Sequence, residues 1–289
     1  MKRCLKCGGQ FSGAGWACPA CGFSPKNVGD IPSFAPAAAS SRESYDPHFY
    51  ERLAGIEEGN FWFRSRNRLI LYALQRYFPT AEKFLEVGCG TGFVLSAVKK
   101  ALPGMSLCGS DLYPDGLRFA AARCPGVELF QMDACDMPFV DEFDVIGAFD
   151  VLEHIEQDSA VLAQMFRALR KGGGIIAAVP QHAFLWSGTD EYARHVRRYS
   201  AAELRQKAEA AGFRVIRTFS FVSLLLPLMF ISRLGKRKNN GEIDIISELT
   251  LGRPMEAVLE KILDIERCII RANINMPFGG SLFLIAKKI

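Results

Sequence analysis

Nine cysteines are spread along the 289 residues, and four of them fall in two matched pairs near the start of the chain. Cys4-Leu-Lys-Cys7 and Cys18-Pro-Ala-Cys21 are C-x2-C knuckles ten residues apart, each followed by glycine, which lets the backbone turn so that both thiolates face one ion. Four thiolates in a tetrahedron favour zinc, and a closed set of this kind is structural. A segment this short cannot fold on apolar burial alone, so the metal would supply most of its folding free energy. A redox C-x-x-C pair would expect a βαβ context, and none surrounds these cysteines. Cys89, Cys108, Cys124, Cys135 and Cys268 have no ligand spacing and read as small buried hydrophobes.

The second constellation is the glycine run in "FLEVGCGTGFVL", residues 84–95. A dinucleotide pyrophosphate calls for G-x-G-x-x-G, but here Gly88, Gly90 and Gly92 are spaced by two, so the third glycine comes one residue early. No Gly-Lys-Ser/Thr follows, which excludes a P-loop. Four acids stand at or near successive strand ends: Glu86, Asp111, Asp133 and Asp150. Carboxylates around a bare turn suit a cationic, hydroxyl-bearing adenosine ligand: they accept from ribose hydroxyls and meet an ammonium, while the glycines admit a close backbone approach. Read singly, each acid has a plainer role as a turn cap or a solvated loop residue.

These residues need a scaffold that brings several strand ends to one rim. From residue 83 onward, short β-branched runs alternate with helical segments, the pattern of an α/β protein with a mostly parallel sheet covered on both faces. Seven strands are expected: KFLEVG, MSLCGSDL, VELFQMD, FDVIGAFDVL, GGIIAAVP, GFRVIRTFSF and SLFLIAKK. Ligands of such sheets bind outside the carboxyl ends of the strands. Ahead of this lie a zinc ribbon (1–23), a Pro/Ala/Ser-rich linker (24–44) and amphipathic helices opening a main domain that runs over 45–289. Nearly half the residues are apolar, enough for one large core, and the net charge of +4 is too small to imply nucleic acid by itself. The N-terminus lacks the apolar stretch of a secretory signal, which places the chain in the cytoplasm.

E-V-G-C-G-T-G resembles the first motif of class I S-adenosylmethionine-dependent methyltransferases. "FDVLEHI" (149–155) is similar to the motif after strand 4 in their ubiquinone-biosynthesis-like small-molecule branch. The likeness covers roughly residues 45–221 and the last strand, leaving the ribbon and an insertion at 222–280 outside. It implies a Rossmann-like, seven-stranded sheet whose last strand is antiparallel, with S-adenosylmethionine as methyl donor. By that resemblance Gly88, Gly90 and Gly92 lie under the methionine part and Glu86 orders their loop. Asp111 accepts from both ribose hydroxyls, and Leu112 packs on adenine. Asp133 and Ala134 contact the adenine amine and ring edge, and Asp150 lies beside the methionine ammonium.

Methyl transfer from a sulfonium is an in-line displacement on an activated carbon, so the protein chiefly aligns an acceptor lone pair and excludes water. A hydroxyl acceptor must also lose a proton, which a histidine would assist. His154, just after strand 4, and His195, in "WSGTDEYARHVRRYS" (186–200), are the candidates, with Asp190 to orient His195. Local backbone satisfaction is the plainer role for either histidine. Arg194, Arg197 and Arg198 would suit an acidic acceptor, or belong to a solvated basic helix end. The segment resembles one in bacterial methyltransferases associated with glycans and lipid-linked intermediates, which points to a small-molecule, glycan or lipid-linked acceptor.

The apolar run "FSFVSLLLPLMFIS" followed by "RLGKRK" (219–238) is too short to span a bilayer. It suits either a peripheral contact with an anionic membrane or core packing with the helix "PMEAVLEKILDIERCIIRA"; long apolar runs are more often buried. Two other functions compete. One is an RNA base methyltransferase using the ribbon for RNA, against which stand the small net charge and the missing (Asn/Asp)-Pro-Pro-aromatic element after strand 4. The other is a non-catalytic module whose ribbon docks a protein partner.

Overall fold

In a computed structural model, the residues described are 1–41, 47–230 and 252–289. The insertion read at 222–280 and the apolar-basic run at 219–238 therefore lie partly outside the described residues, at 231–251.

The chain opens with two short strands, β1 (Lys2–Arg3) and β2 (Gln10–Phe11), followed by β3 (Lys26–Val28), β4 (Ile31–Ser33) and a short helix α1 (Pro36–Ser41). Helices α2 (Pro47–Glu57) and α3 (Phe61–Tyr77) lead into β5 (Lys83–Val87). The Asn60 side chain begins α3 by accepting the amide of Trp62 at 2.9 Å, which satisfies a donor that the helix leaves unpaired. The chain then alternates: α4 (Phe93–Ala101), β6 (Ser106–Asp111), α5 (Pro114–Arg123), β7 (Glu128–Gln131), β8 (Phe143–Phe149), α6 (Asp158–Ala168) and β9 (Leu169–Pro180). A short α7 (Gly188–Tyr192), α8 (Ala201–Ala210), β10 (Arg214–Phe221), α9 (Arg253–Arg271) and β11 (Ser281–Lys287) complete it.

One sheet has the order β10-β11-β9-β8-β5-β6-β7-β4-β3. The five central strands β9-β8-β5-β6-β7 are parallel, and β11 lies antiparallel to both β9 and β10. All seven anticipated strands are present, but the sheet has nine, not seven. The additional pair, β3 and β4, comes from the stretch expected to be a linker. Ser33 pairs in parallel with Gln131 on the edge strand β7, and β3 folds back on β4. A polar, proline-bearing segment shows no strand periodicity, yet it caps an edge that would otherwise expose unpaired backbone groups.

Alternate residues of each strand feed two cores. Phe84, Val145 and Phe283 join Leu69, Leu74, Val98 and Leu117 on the face covered by α3, α4, α5 and α9. Leu85, Ile146 and Leu284 join Val161, Leu162, Met165 and Leu204 under α6 and α8. This period-two division is what a sheet buried on both faces requires. Helix α9 buries Leu259, Leu263 and Ile270, and Arg64 and Arg68 of α3 pair with its Glu260. The helix of the insertion is thus part of the core. Of the apolar run, Val222 and Leu225 are buried whereas Leu228 and Phe230 are exposed. No helix among the described residues is long and apolar enough to cross a membrane.

The crossing of β9 and β11 tolerates no side chain at Gly174, where a Cβ would lie 2.2 Å from the carbonyl oxygen of Ala286 and 2.7 Å from the Phe78 ring. Gly174→Ala should destabilise the fold by about 3 kcal/mol. Gly104, whose Cβ would meet nothing within 4 Å, is the control. Thermal melts of the two variants check this; equal melting temperatures would contradict it.

Candidate active site

Strand β5 ends in the turn Gly88-Cys89-Gly90-Thr91-Gly92, and all three glycines adopt left-handed φ values of 69°, 49° and 76°. A Cβ at Gly88 would lie 2.3 Å from Val151, and one at Gly92 would lie 2.9 Å from the backbone of Ala120. At Gly90 a Cβ would meet nothing, so the turn is packed from below and bare on the side facing the rim. Thr91 donates its hydroxyl to Glu57 at 2.7 Å, and Arg123 closes this buried knot by contacting both. Burial raises the Glu57 carboxyl, with Thr91 and Arg123 opposing.

Asp111, at the end of β6, reaches across to the turn. One carboxylate oxygen accepts the amide of Gly90 and the other the amide of Tyr113, both at 2.9 Å. Each oxygen keeps lone-pair capacity for a further donor. Leu112 is half-buried, and its carbonyl accepts from the Gln131 side chain at 2.9 Å. That fully buried amide also bonds Ser33 and Ala35, so the N-terminal segment is latched to the residue beside Asp111. Asp133 accepts the amide of Cys135 at 2.8 Å in an Asx turn, and Ala134 is buried next to it. Burial holds the Glu86 carboxyl well above the usual range despite the charge of Arg66, and its Oε2 has no hydrogen-bond partner among the described residues.

Asp150 has a left-handed φ of 57°, which turns it back toward α3, where it pairs with Arg66. The Arg66 guanidinium lies 4.6 Å from the Trp62 ring centre and is almost fully buried. Asp150 therefore meets the rim already paired with a cation. The sequence reading missed Arg66; its signal was an arginine on the buried side of α3, between Phe63 and Ile70.

Just beyond Asp150 in the chain lies His154, whose ring meets that of His195 edge-to-face with centroids 4.8 Å apart, and His195 Nδ1 lies 2.8 Å from Asp190. Burial, with His195 adjoining, pushes the His154 imidazole down to about 4, so it is neutral near pH 7. Glu153 is fully buried, and both of its carboxylate oxygens lack a hydrogen-bond partner among the described residues. It too went unremarked in the sequence, although it lies within "FDVLEHI". Burial and the charge of Asp150 raise its carboxyl well above the usual range.

The three arginines separate in role. Arg198 grips Asp190 through Nε at 2.7 Å and Nη2 at 3.0 Å and also donates to the carbonyl of Gln181. Arg197 pairs with Asp158 at 2.6 Å. Their donors thus serve neighbouring protein groups rather than an open cleft, and Arg194 is the exposed member.

The four N-terminal cysteines converge on one another. Cys4 and Cys21 sulfurs are 3.6 Å apart, and those of Cys7 and Cys18 are 3.7 Å apart. All four sulfurs lie within 4.8 Å of one another. A tetrahedral ion bound at 2.3 Å would set its ligands about 3.8 Å apart, so the donor set fits zinc.

Residues 59–218 match a family described as a methyltransferase domain. A "probable S-adenosylmethionine-dependent methyltransferase" of Mycolicibacterium smegmatis is 28% identical over 166 residues, 56% of this chain and 63% of that protein. The malonyl-[acyl-carrier protein] O-methyltransferase of Hahella chejuensis is 32% identical over 139 residues, 45% of this chain and 49% of its own length. The chain thus spans about half to three fifths of the length of these curated relatives. Among solved structures, Haemonchus contortus phosphoethanolamine N-methyltransferase 2 in complex with S-adenosyl-L-methionine superposes with a TM-score of 0.58 at 19% identity, covering 89% of this chain and 61% of that one. A chain of the complex between the Haloferax volcanii Trm112 methyltransferase activator and a methyltransferase gives the same TM-score at 19% identity, over 86% of this chain and 99% of that one. At such identities the likeness is one of fold. With more than half of its length matched to the domain, set on a mostly parallel sheet with a glycine turn at its rim, the chain belongs to the class I S-adenosylmethionine-dependent methyltransferase family.

Proposed function

We propose that the chain transfers a methyl group from S-adenosylmethionine to a small-molecule, glycan or lipid-linked acceptor. The observation that carries this reading is the Asp111 clamp: one carboxylate fixes Gly90 and Tyr113 while keeping lone pairs for the ribose hydroxyls, beside a turn bare at Gly90. Glu86 and the Asp150–Arg66 pair lie toward the methionine end, and Leu112, Asp133 and Ala134 toward the adenine. An acidic rim favours a cationic sulfonium. His195, oriented by Asp190, and His154 face the acceptor side, and the exposed Arg194 adjoins His195 in the chain segment 186–200.

The acceptor class takes support from the segment 186–200 and from the relatives, one of which is named for acting on malonyl-[acyl-carrier protein] and another as a fatty-acid O-methyltransferase. Against RNA stand the small net charge of +4 and the residues Asp150-Val-Leu-Glu where an (Asn/Asp)-Pro-Pro-aromatic element would follow strand 4. The four cysteines we assign to a structural zinc, which would hold β1, β2 and the latch on Gln131 in place; the same module is the surface we assign to any protein partner. When bound, the zinc supplies cross-links and no chemistry at the crevice. We place the protein in the cytoplasm.

Three outcomes follow. Replacing Asp111 by Asn removes a charge-assisted acceptor worth about 1.5–3 kcal/mol, so S-adenosylmethionine affinity should fall about 10- to 150-fold in isothermal titration; an unchanged affinity would refute the clamp. Radiolabelled methyl donor incubated with fractionated cell extract should label the small-molecule or lipid fraction, and label in RNA alone would overturn the acceptor class. Chelating the cysteine-bound metal should loosen the Gln131 latch and weaken donor binding several-fold, with Gln131→Ala mimicking the loss; donor affinity that survives both treatments would remove the coupling.

A further inference from the structure

We infer that Glu153, His154 and His195 form a second metal site, distinct from the four cysteines, that takes a first-row divalent cation. Glu153 and His154 come from the 3-10 turn Leu152–His154 after β8, and His195 comes from the segment following α7. Their ligand atoms all lie within 4.8 Å of one another, close enough to shut on one ion with small side-chain adjustments.

The independent observation is the state of Glu153. It has no exposed surface, and neither carboxylate oxygen has a hydrogen-bond partner among the described residues. Arg66 and Arg198 lie near enough to feel its charge, yet they bond Asp150 and Asp190 instead. A buried, unsatisfied carboxyl is costly, and a cation would satisfy both oxygens.

The surroundings of His195 match a ligand held from behind. Asp190 bonds Nδ1 at 2.8 Å, leaving Nε2 as the free donor atom. Asp190 is itself immobilised by the Arg198 fork and by the amide and hydroxyl of Ser187, at 2.9 and 3.1 Å. This carboxylate–imidazole relay orients a metal-binding histidine. Two imidazoles and one carboxylate suit zinc, iron, cobalt or manganese, and three protein ligands leave positions open.

The site lies two residues beyond Val151, which touches Gly88, and so adjoins the methionine end of the turn. On the methyl-transfer reading proposed above, which this step depends on, an open position would take the oxygen of a hydroxyl acceptor. The acceptor's proton passes to solvent, the oxygen pair forms the bond to the methyl carbon, and the carbon–sulfur bond breaks. The products are the O-methylated acceptor, S-adenosylhomocysteine and a proton.

The test titrates cobalt(II) into full-length protein already given one equivalent of zinc to fill the cysteine cluster. A second equivalent should bind with visible absorption typical of nitrogen and oxygen ligands, without a sulfur charge-transfer band, and should raise the melting temperature. Glu153→Gln should abolish both changes while the metal-free variant melts close to the parent, because one unpartnered buried polar group replaces another; a merely structural Glu153 would give a clearly lower melt. Asp190→Asn should weaken cobalt about 10- to 100-fold. No second equivalent at millimolar cobalt, or binding unchanged in both variants, overturns the site. Donor binding, titrated separately, tells the two readings apart: donor bound without a second metal defeats only this inference, and metal bound without donor defeats only the methyl-transfer reading.

Discussion

A single carboxylate ties the crevice together. Asp111 ends one strand, yet it accepts amides from the turn after the neighbouring strand and from the start of the next helix. Because the Gly88–Gly92 turn is left-handed at three points, it needs an external acceptor to hold Gly90 in place, and the parallel register of β5 and β6 delivers one at that height. The knot of Glu57, Thr91 and Arg123 supports the turn from beneath, so it is fixed on two sides and open on the third. Preorganisation of this kind lowers the ordering cost of binding.

The N-terminal segment extends that constraint outward. Trp16 packs edge-to-face on Phe34, Phe130 and Phe139, while Lys2 bridges to Phe139, so the cysteine-bearing module rests on the strand whose last residue is Gln131. Gln131 then spends its whole amide on Ser33, Ala35 and Leu112. A small module with little core of its own thereby gains stability from the large one, and the large one gains a covered edge.

Much of this was legible in residue order. The seven long strands announce themselves because burial on both faces demands nearly continuous apolar runs, and the glycine turn with its acids marks the rim. β3 and β4 were not legible: KNV and IPS are short, polar and proline-bearing, and one residue pair, Ser33 with Gln131, joins them to the rest. Side-chain pairings across long separations were equally hidden. Asp150 is readable as a rim acid, but its partner Arg66 lies 84 residues away on a helix whose arginines look alike in sequence. Likewise Arg198 looks like a substrate clamp until Asp190 is seen to occupy its fork.

The acid-lined rim also bears on turnover. A sulfonium donor arrives with a positive charge at sulfur, and once its methyl has left, the remaining thioether is electrically neutral there. On the reading proposed above, the carboxylates of the rim would feel one positive charge fewer in the spent molecule, while its ribose hydroxyls and ammonium would remain to hold it.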